Sequence, residues 1–118
     1  MSAQEPDDVM AEHLVALLGY GRRKARLGAE LASTLGCSQR EIRALVEHLR
    51  RSGHLIGSTS AAGGGYYTIE CEAELEDTAR HLTSRARHMF ATLAAMRRRA
   101  GELYGEEQAR LFDLEVAR

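Results

Sequence analysis

Leu31-Ala32-Ser33-Thr34-Leu35-Gly36-Cys37-Ser38-Gln39-Arg40-Glu41-Ile42 decides the fold. Leu31, Ala32 and Leu35 lie on one helical face, with Leu27 one turn earlier. Gly36 follows where a helix ends in a left-handed residue. Ser38 and Glu41 then form a capping box: the Ser oxygen accepts a backbone amide and the Glu side chain reaches back. Ile42, Leu45, Val46 and Leu49 continue as the buried stripe of the next helix, which Gly53 ends. Two helices therefore meet across a tight turn, and Leu31 and Leu35 face Ile42, Val46 and Leu49.

Upstream, Pro6-Asp7-Asp8 is a helix start, because proline fits the first turn and acids favour the N-terminal dipole. Val9, Met10, Leu14, Leu17 and Leu18 give that helix its stripe, and Gly19-Tyr20-Gly21 stops it. Arg22–Arg26 reads as a basic loop. Downstream, His54–Ser58 and Tyr66–Ile69 have strand composition, and Ser60–Gly65 between them is a Gly-rich tip. One of Tyr66 and Tyr67 is expected to pack inward. The order helix, helix, turn, helix, strand, glycine-rich loop, strand is that of a winged helix-turn-helix.

The residues Leu31–Ser38, with Ile42, Leu45, Val46, Leu49, Arg50, Gly53 and Gly65-Tyr66, resemble the winged-helix domain of biotin-repressor-type bacterial regulators. They are also similar to small winged-helix proteins of phages and prophages. The likeness covers about residues 8–70 and implies a DNA-binding fold, not a particular operator. No biotin-binding domain is expected from these 118 residues. Such domains often cap their second helix with Ser or Thr, whereas Leu27 stands at that place here.

From Glu72 the pattern is helical again. Leu75, Leu82, Met89, Met96 and Leu103 recur every seven residues, with Ala79, Ala86, Leu93 and Ala100 interleaved. That is the seam of a helix pair. About thirty residues of helix would run some 45 Å, longer than a winged-helix core is wide. Leu75, Ala79, Leu82, Ala86, Met89, Leu93, Met96 and Leu103 are therefore the expected dimer interface, in either orientation. Gly101 and Gly105 weaken the helix, and Glu106–Val116 continues it or forms a separate one. The expected class is mainly α with a small β-hairpin. Residues 1–7 are a flexible N-terminus, 8–70 the winged helix-turn-helix domain and 71–118 a helical dimerisation tail.

Charge is unevenly spread. The chain has 118 residues and a net charge of −1. Residues 19–59 nevertheless carry eight bases against three acids, while residues 60–118 carry ten acids and eight bases. A concentrated basic segment binds phosphate whatever the chain total. On the helical wheel, Arg40, Ala44, Glu47 and Arg51 lie opposite the buried stripe, flanked by Gln39 and Arg43. Arg pairs bidentately with guanine and Gln with adenine, and the Ala44 methyl suits thymine. Ser38, Gln39, Arg40, Arg43, Ala44, Glu47, Arg50, Arg51, Arg22, Arg23 and Lys24 are the expected DNA-binding set. Arg22, Arg23, Lys24 and Arg50 are assigned to phosphates, and Glu47 to an internal pair with Arg43 or Arg51. The wing tip has no Lys or Arg.

No catalytic constellation is present. Gly63-Gly64-Gly65 lacks the Lys-Ser/Thr of a phosphate-binding loop. The five His share no metal-ligand spacing, and no cofactor or metal is expected. Cys37 and Cys71 read as small apolar fillers in a reducing cytoplasm. No signal peptide or membrane-spanning run is visible. The function expected is a sequence-specific double-stranded DNA-binding regulator of bacterial or phage type, a cytoplasmic homodimer without enzymatic activity. A protein–protein adaptor for phage or replication assembly is the competing reading, supported by the near-neutral charge. A small-molecule sensor is the third.

Overall fold

A computed structural model describes residues 8–60 and 64–116, with the side chains of 106–112 and 115–116 left aside. Residues 1–7 with Pro6, expected to be a flexible N-terminus, and Ala61–Gly63 of the expected wing tip lie outside these residues. Helix α1 spans Asp8–Leu17, α2 Gly28–Leu35 and α3 Gln39–Arg51. Strands β1 (Ile56–Thr59) and β2 (Gly65–Thr68) follow, then α4 (Glu72–Val116). This is a winged helix-turn-helix followed by a long C-terminal helix. The chain divides into two compact units, Met1–Ala79 and Arg80–Arg118.

Local chemistry accounts for the helix ends. Ser38 Oγ accepts the Glu41 amide at 3.1 Å, and the Glu41 carboxylate accepts the Ser38 amide at 3.3 Å. Gly36 adopts φ 70°, which costs a glycine little and lets its amide donate back to Ala32. Helix α2 starts at Leu27 with no side-chain cap. In its first turns the Arg26 guanidinium holds Glu30 at 2.7 Å instead.

The core of the first unit is where the apolar spacing puts it. Ala11, Leu14 and Leu18 of the first helical segment meet Leu31 and Ala32 of α2 and Ile42, Leu45, Val46 and Leu49 of α3, closed by Ile56. Full burial of each large side chain is worth about 1.5–3 kcal/mol. Val9, expected in the first stripe, is 59% exposed because α1 turns its opposite side inward. Leu27 is exposed as well.

The strands pair antiparallel, Ile56 with Thr68 and Gly57 with Tyr67. The other edge of β2 is also occupied. Gly21 donates to the Thr68 carbonyl at 2.9 Å, and the Thr68 amide to Gly19 at 2.8 Å. Arg26 and Tyr66 exchange two backbone bonds, each 2.9 Å. The connection between α1 and α2 thus borders the hairpin, and Arg22–Lys24 within it is a 3₁₀ turn, not an open loop. Tyr67 is the inward tyrosine, fully buried, while Tyr66 is half-buried. Gly57 makes room for it: a Cβ there would fall 2.6 Å from Tyr67 Cε2.

Helix α4 contains one non-helical residue, Gly105, at φ 82° and ψ 168°, so Glu106–Val116 is a separate helical segment. On this second unit the heptad residues Leu93 and Ala100 are half-buried and the others are exposed. Met89, Met96 and Leu103 are exposed, with Phe90 and Tyr104 beside them. Among the described residues, no helix is long and apolar enough to cross a membrane.

Candidate nucleic-acid interface

Helix α3 presents the expected outer face. Gln39, Arg40, Arg43, Ala44, Glu47 and Arg51 are all exposed, while Ile42, Leu45, Val46 and Leu49 fill the core. The cap at Ser38 directs the N-terminal turn outward, and Gln39 and Arg40 are its first two residues. Glu47 lies 3.8 Å from Arg51, the internal pair expected one turn apart. Arg40 and Arg43 make no ion pair among the described residues. Both guanidiniums keep their donors for an outside acceptor.

Other members of the expected set are engaged within the protein. The Ser38 hydroxyl serves the cap, lying between the Glu41 amide and carboxylate. Arg50 Nε donates to the Ile56 carbonyl at 2.9 Å, and its Nη2 reaches Ser58 Oγ at 3.4 Å. That side chain ties α3 to β1. Arg22 Nη2 holds Asp77 at 3.0 Å. Its backbone amide donates to Glu74 Oε2 at 2.9 Å. Of the eight bases in residues 19–59, Arg23, Lys24, Arg40 and Arg43 are the four without an ion pair or side-chain hydrogen bond among the described residues.

Electrostatics fit this division. The Tyr67 hydroxyl lies beside the Arg22 guanidinium without a well-formed hydrogen bond, and with Asp77 it raises the Arg22 pKa above its ordinary value. Glu74 accepts the amides of Glu70 and Arg22, and the Arg22 and Arg23 charges add to them. Together they hold its carboxyl below the ordinary range. Glu74 is itself buried and fastens the 3₁₀ turn to the first turn of α4. These links join residues 52 and 55 positions apart, so no local pattern announces them.

The cysteines differ. Cys37 is half-buried against the core, and burial, with Glu41 nearby, raises its thiol pKa. Cys71 is exposed at the start of α4, so the expectation of an apolar filler fails there: the stripe of that helix begins only at its next turns. Among the described residues no three His, Cys, Asp or Glu side chains converge as a metal site. A shallow groove of about 370 Å³ runs between α1 and the end of α3, lined by Asp8, Glu12, His48 and His54 among others.

No protein-family model matches the chain. No curated protein matches it in sequence. A solved structure of a ZitR mutant from Lactococcus lactis is similar at 19% identity and a TM-score of 0.39, covering 99% of this chain and 75% of that one. A superposition that loose carries no function from one chain to the other.

Proposed function

We propose that this protein is a sequence-specific double-stranded DNA-binding regulator that acts as a homodimer and has no catalytic activity. One observation carries the reading: Arg40 and Arg43 stand exposed, and without ion pairs among the described residues, on the capped, outward face of the second helix of a helix-turn-helix. A helix so presented suits the major groove, with its N-terminal residues at base edges. Gln39, Arg40, Arg43 and Ala44 are the base-reading candidates; Arg23 and Lys24 are left for phosphates. Glu47 and Arg51 sit at the margin as a pair. Ser38, Arg22 and Arg50 position these groups from within. The resemblance of Leu31–Ser38 to biotin-repressor-type domains supports the same reading.

Pairing through Leu75, Ala79, Leu82, Ala86, Met89, Leu93, Met96 and Leu103 completes the proposal. Met89 is 68% exposed and Met96 53%, which leaves a seam of apolar surface for a second copy. Two copies would grip half-sites about 34 Å apart. The adaptor reading draws on a different observation: in residues 19–59, the four cations without an ion pair or side-chain hydrogen bond among the described residues are few for a DNA-binding module.

Arg40→Ala and Arg43→Ala test the proposal against a site selected from random duplexes. A bidentate base contact is worth about 1–3 kcal/mol, so each variant should lose affinity for that site while melting like the parent. Two variants that bind the site as the parent does would overturn base reading by α3.

A further inference from the structure

Between Thr78 and Gly101 the chain carries six arginines and two histidines and not one carboxylate. Summed over residues 60–118 this run disappears, because the acids gather on either side of it, at Glu70–Asp77 and from Glu102 onward. In the structure the run is helical throughout, and Arg80, Arg85, Arg87, Arg98 and Arg99 are exposed. Arg97 pairs with Asp113 and Arg99 with Glu102. Arg85, Arg87 and Arg98 have no ion pair among the described residues.

Their placement is directional. At about 100° per residue, Arg80, Arg87 and Arg98 fall within roughly 20° of one line, some 140–180° from the stripe of Leu82, Met89 and Met96. Along the axis they are separated by about 10 and 16 Å. His81 and His88 lie about 80–120° round from that line, and Arg85 lies about 140–160° from it, beside the apolar stripe. Apart from the two histidines every basic residue of the run is arginine; the one lysine of the chain is Lys24. Guanidinium binds phosphate as a planar fork, which an ammonium cannot.

We propose that this arginine face of α4 is a second binding surface, one that takes the phosphate backbone of duplex DNA without regard to sequence. A rigid row of cations answers a polyanion, whose affinity comes from the counterions released at each neutralised phosphate. The first unit has few such groups left, since Arg22, Arg26, Arg50 and Arg51 are engaged internally. A bilayer is the poorer fit. An amphipathic helix lying on lipid by its apolar stripe would hold Arg80, Arg87 and Arg98 on the water side, and three of the nine seam residues from Leu75 to Leu103 are alanine. Lying away from the apolar seam, the arginine face stays available when the seam is covered by a second copy. Backbone binding by α4 is independent of base reading by α3, and either can hold without the other.

The test uses the full chain. The variant Arg80→Gln/Arg87→Gln/Arg98→Gln keeps good helix formers at exposed positions, and its helicity is checked by circular dichroism. Affinity for a duplex of random sequence is followed from low to high NaCl. Each lost phosphate contact removes about 0.9 from the slope of log affinity against log salt, so the triple variant should lose about two to three units. Arg40→Ala/Arg43→Ala should lose preference for a selected site and keep the parent's salt slope on random duplex to within the contacts it removes. A triple variant with the parent's slope overturns the proposal, whether or not the site preference survives. So does binding of the parent to phosphatidylserine vesicles that the triple variant loses while duplex binding is unchanged. If site preference is absent but the triple variant still flattens the slope, the α3 reading falls and the α4 surface stands.

Discussion

Gly57→Ala should destabilise the winged-helix unit although no strained backbone is involved. Gly57 is not among the residues with positive φ, so alanine meets no conformational penalty there. The obstacle is Tyr67 across the strand pair. The added Cβ would lie 2.6 Å from Tyr67 Cε2 and 2.7 Å from its hydroxyl oxygen. Tyr67 is fully buried, and its phenol is held beside the Arg22 guanidinium, so the ring cannot retreat without moving the hairpin. Overpacking of this kind costs about 1–3 kcal/mol. Stiffening the unfolded chain returns about 0.4–1 kcal/mol, leaving a net loss of about 1–2 kcal/mol. In a unit of this size each kcal/mol lowers the melting temperature by about 4–8 °C. Thermal melting followed by circular dichroism should therefore show a fall of roughly 5–15 °C. The double variant Gly57→Ala/Tyr67→Leu should be more stable than the two single losses sum to, by about 1 kcal/mol or more, because the clash is gone. A Gly57→Ala protein that melts at or above the parent temperature would show that Tyr67 yields to the added methyl without cost. A strictly additive double variant would place the penalty elsewhere than at Tyr67.

Ser38→Ala removes the acceptor for the Glu41 amide and should cost about 1 kcal/mol by urea unfolding, with an unchanged m-value. Glu74→Gln tests the tie between the 3₁₀ turn and α4. The folded-state pKa of Glu74 lies below its ordinary 4.5, so its contribution is present above about that pH and is lost as pH falls through the lower folded value. The stability gap between parent and variant should be widest near neutrality and close in acid; a gap that is constant with pH would contradict it. Met89→Glu/Leu93→Glu places charges mid-seam and should convert a dimer to a monomer in sedimentation equilibrium. A parent that is already monomeric, or a variant of unchanged dimer mass, would remove the seam from the account.

Legibility in the sequence follows the range of the interactions. The capping box at Ser38, the left-handed Gly36 and the buried faces of α2 and α3 rest on neighbours within four residues, and each is where the spacing predicts. The uncapped Leu27 start also stands as read, with the Arg26–Glu30 pair across its first turns. The heptad is visible for the same reason. Phe90 and Tyr104, which widen the apolar stripe, fall outside a strict interval of seven and escape a search for one. The candidate site is less legible. Arg22, Arg50 and Arg40 look alike in a run of basic residues. Only tertiary contact distinguishes them: Glu74 and Asp77 reach Arg22 from more than fifty residues away, and Arg50 turns to a strand carbonyl. The arginine run of α4 is present in the sequence but cancels when charge is summed over too long a segment.

Base reading by α3 requires that one duplex sequence be enriched from a random pool. The parent should enrich a defined sequence, with two half-sites about one helical turn apart if it binds as a dimer, and Arg40→Ala/Arg43→Ala should enrich nothing in common with it. A parent pool that stays as random as its input after repeated rounds, under salt low enough for the protein to retain DNA, would contradict the account.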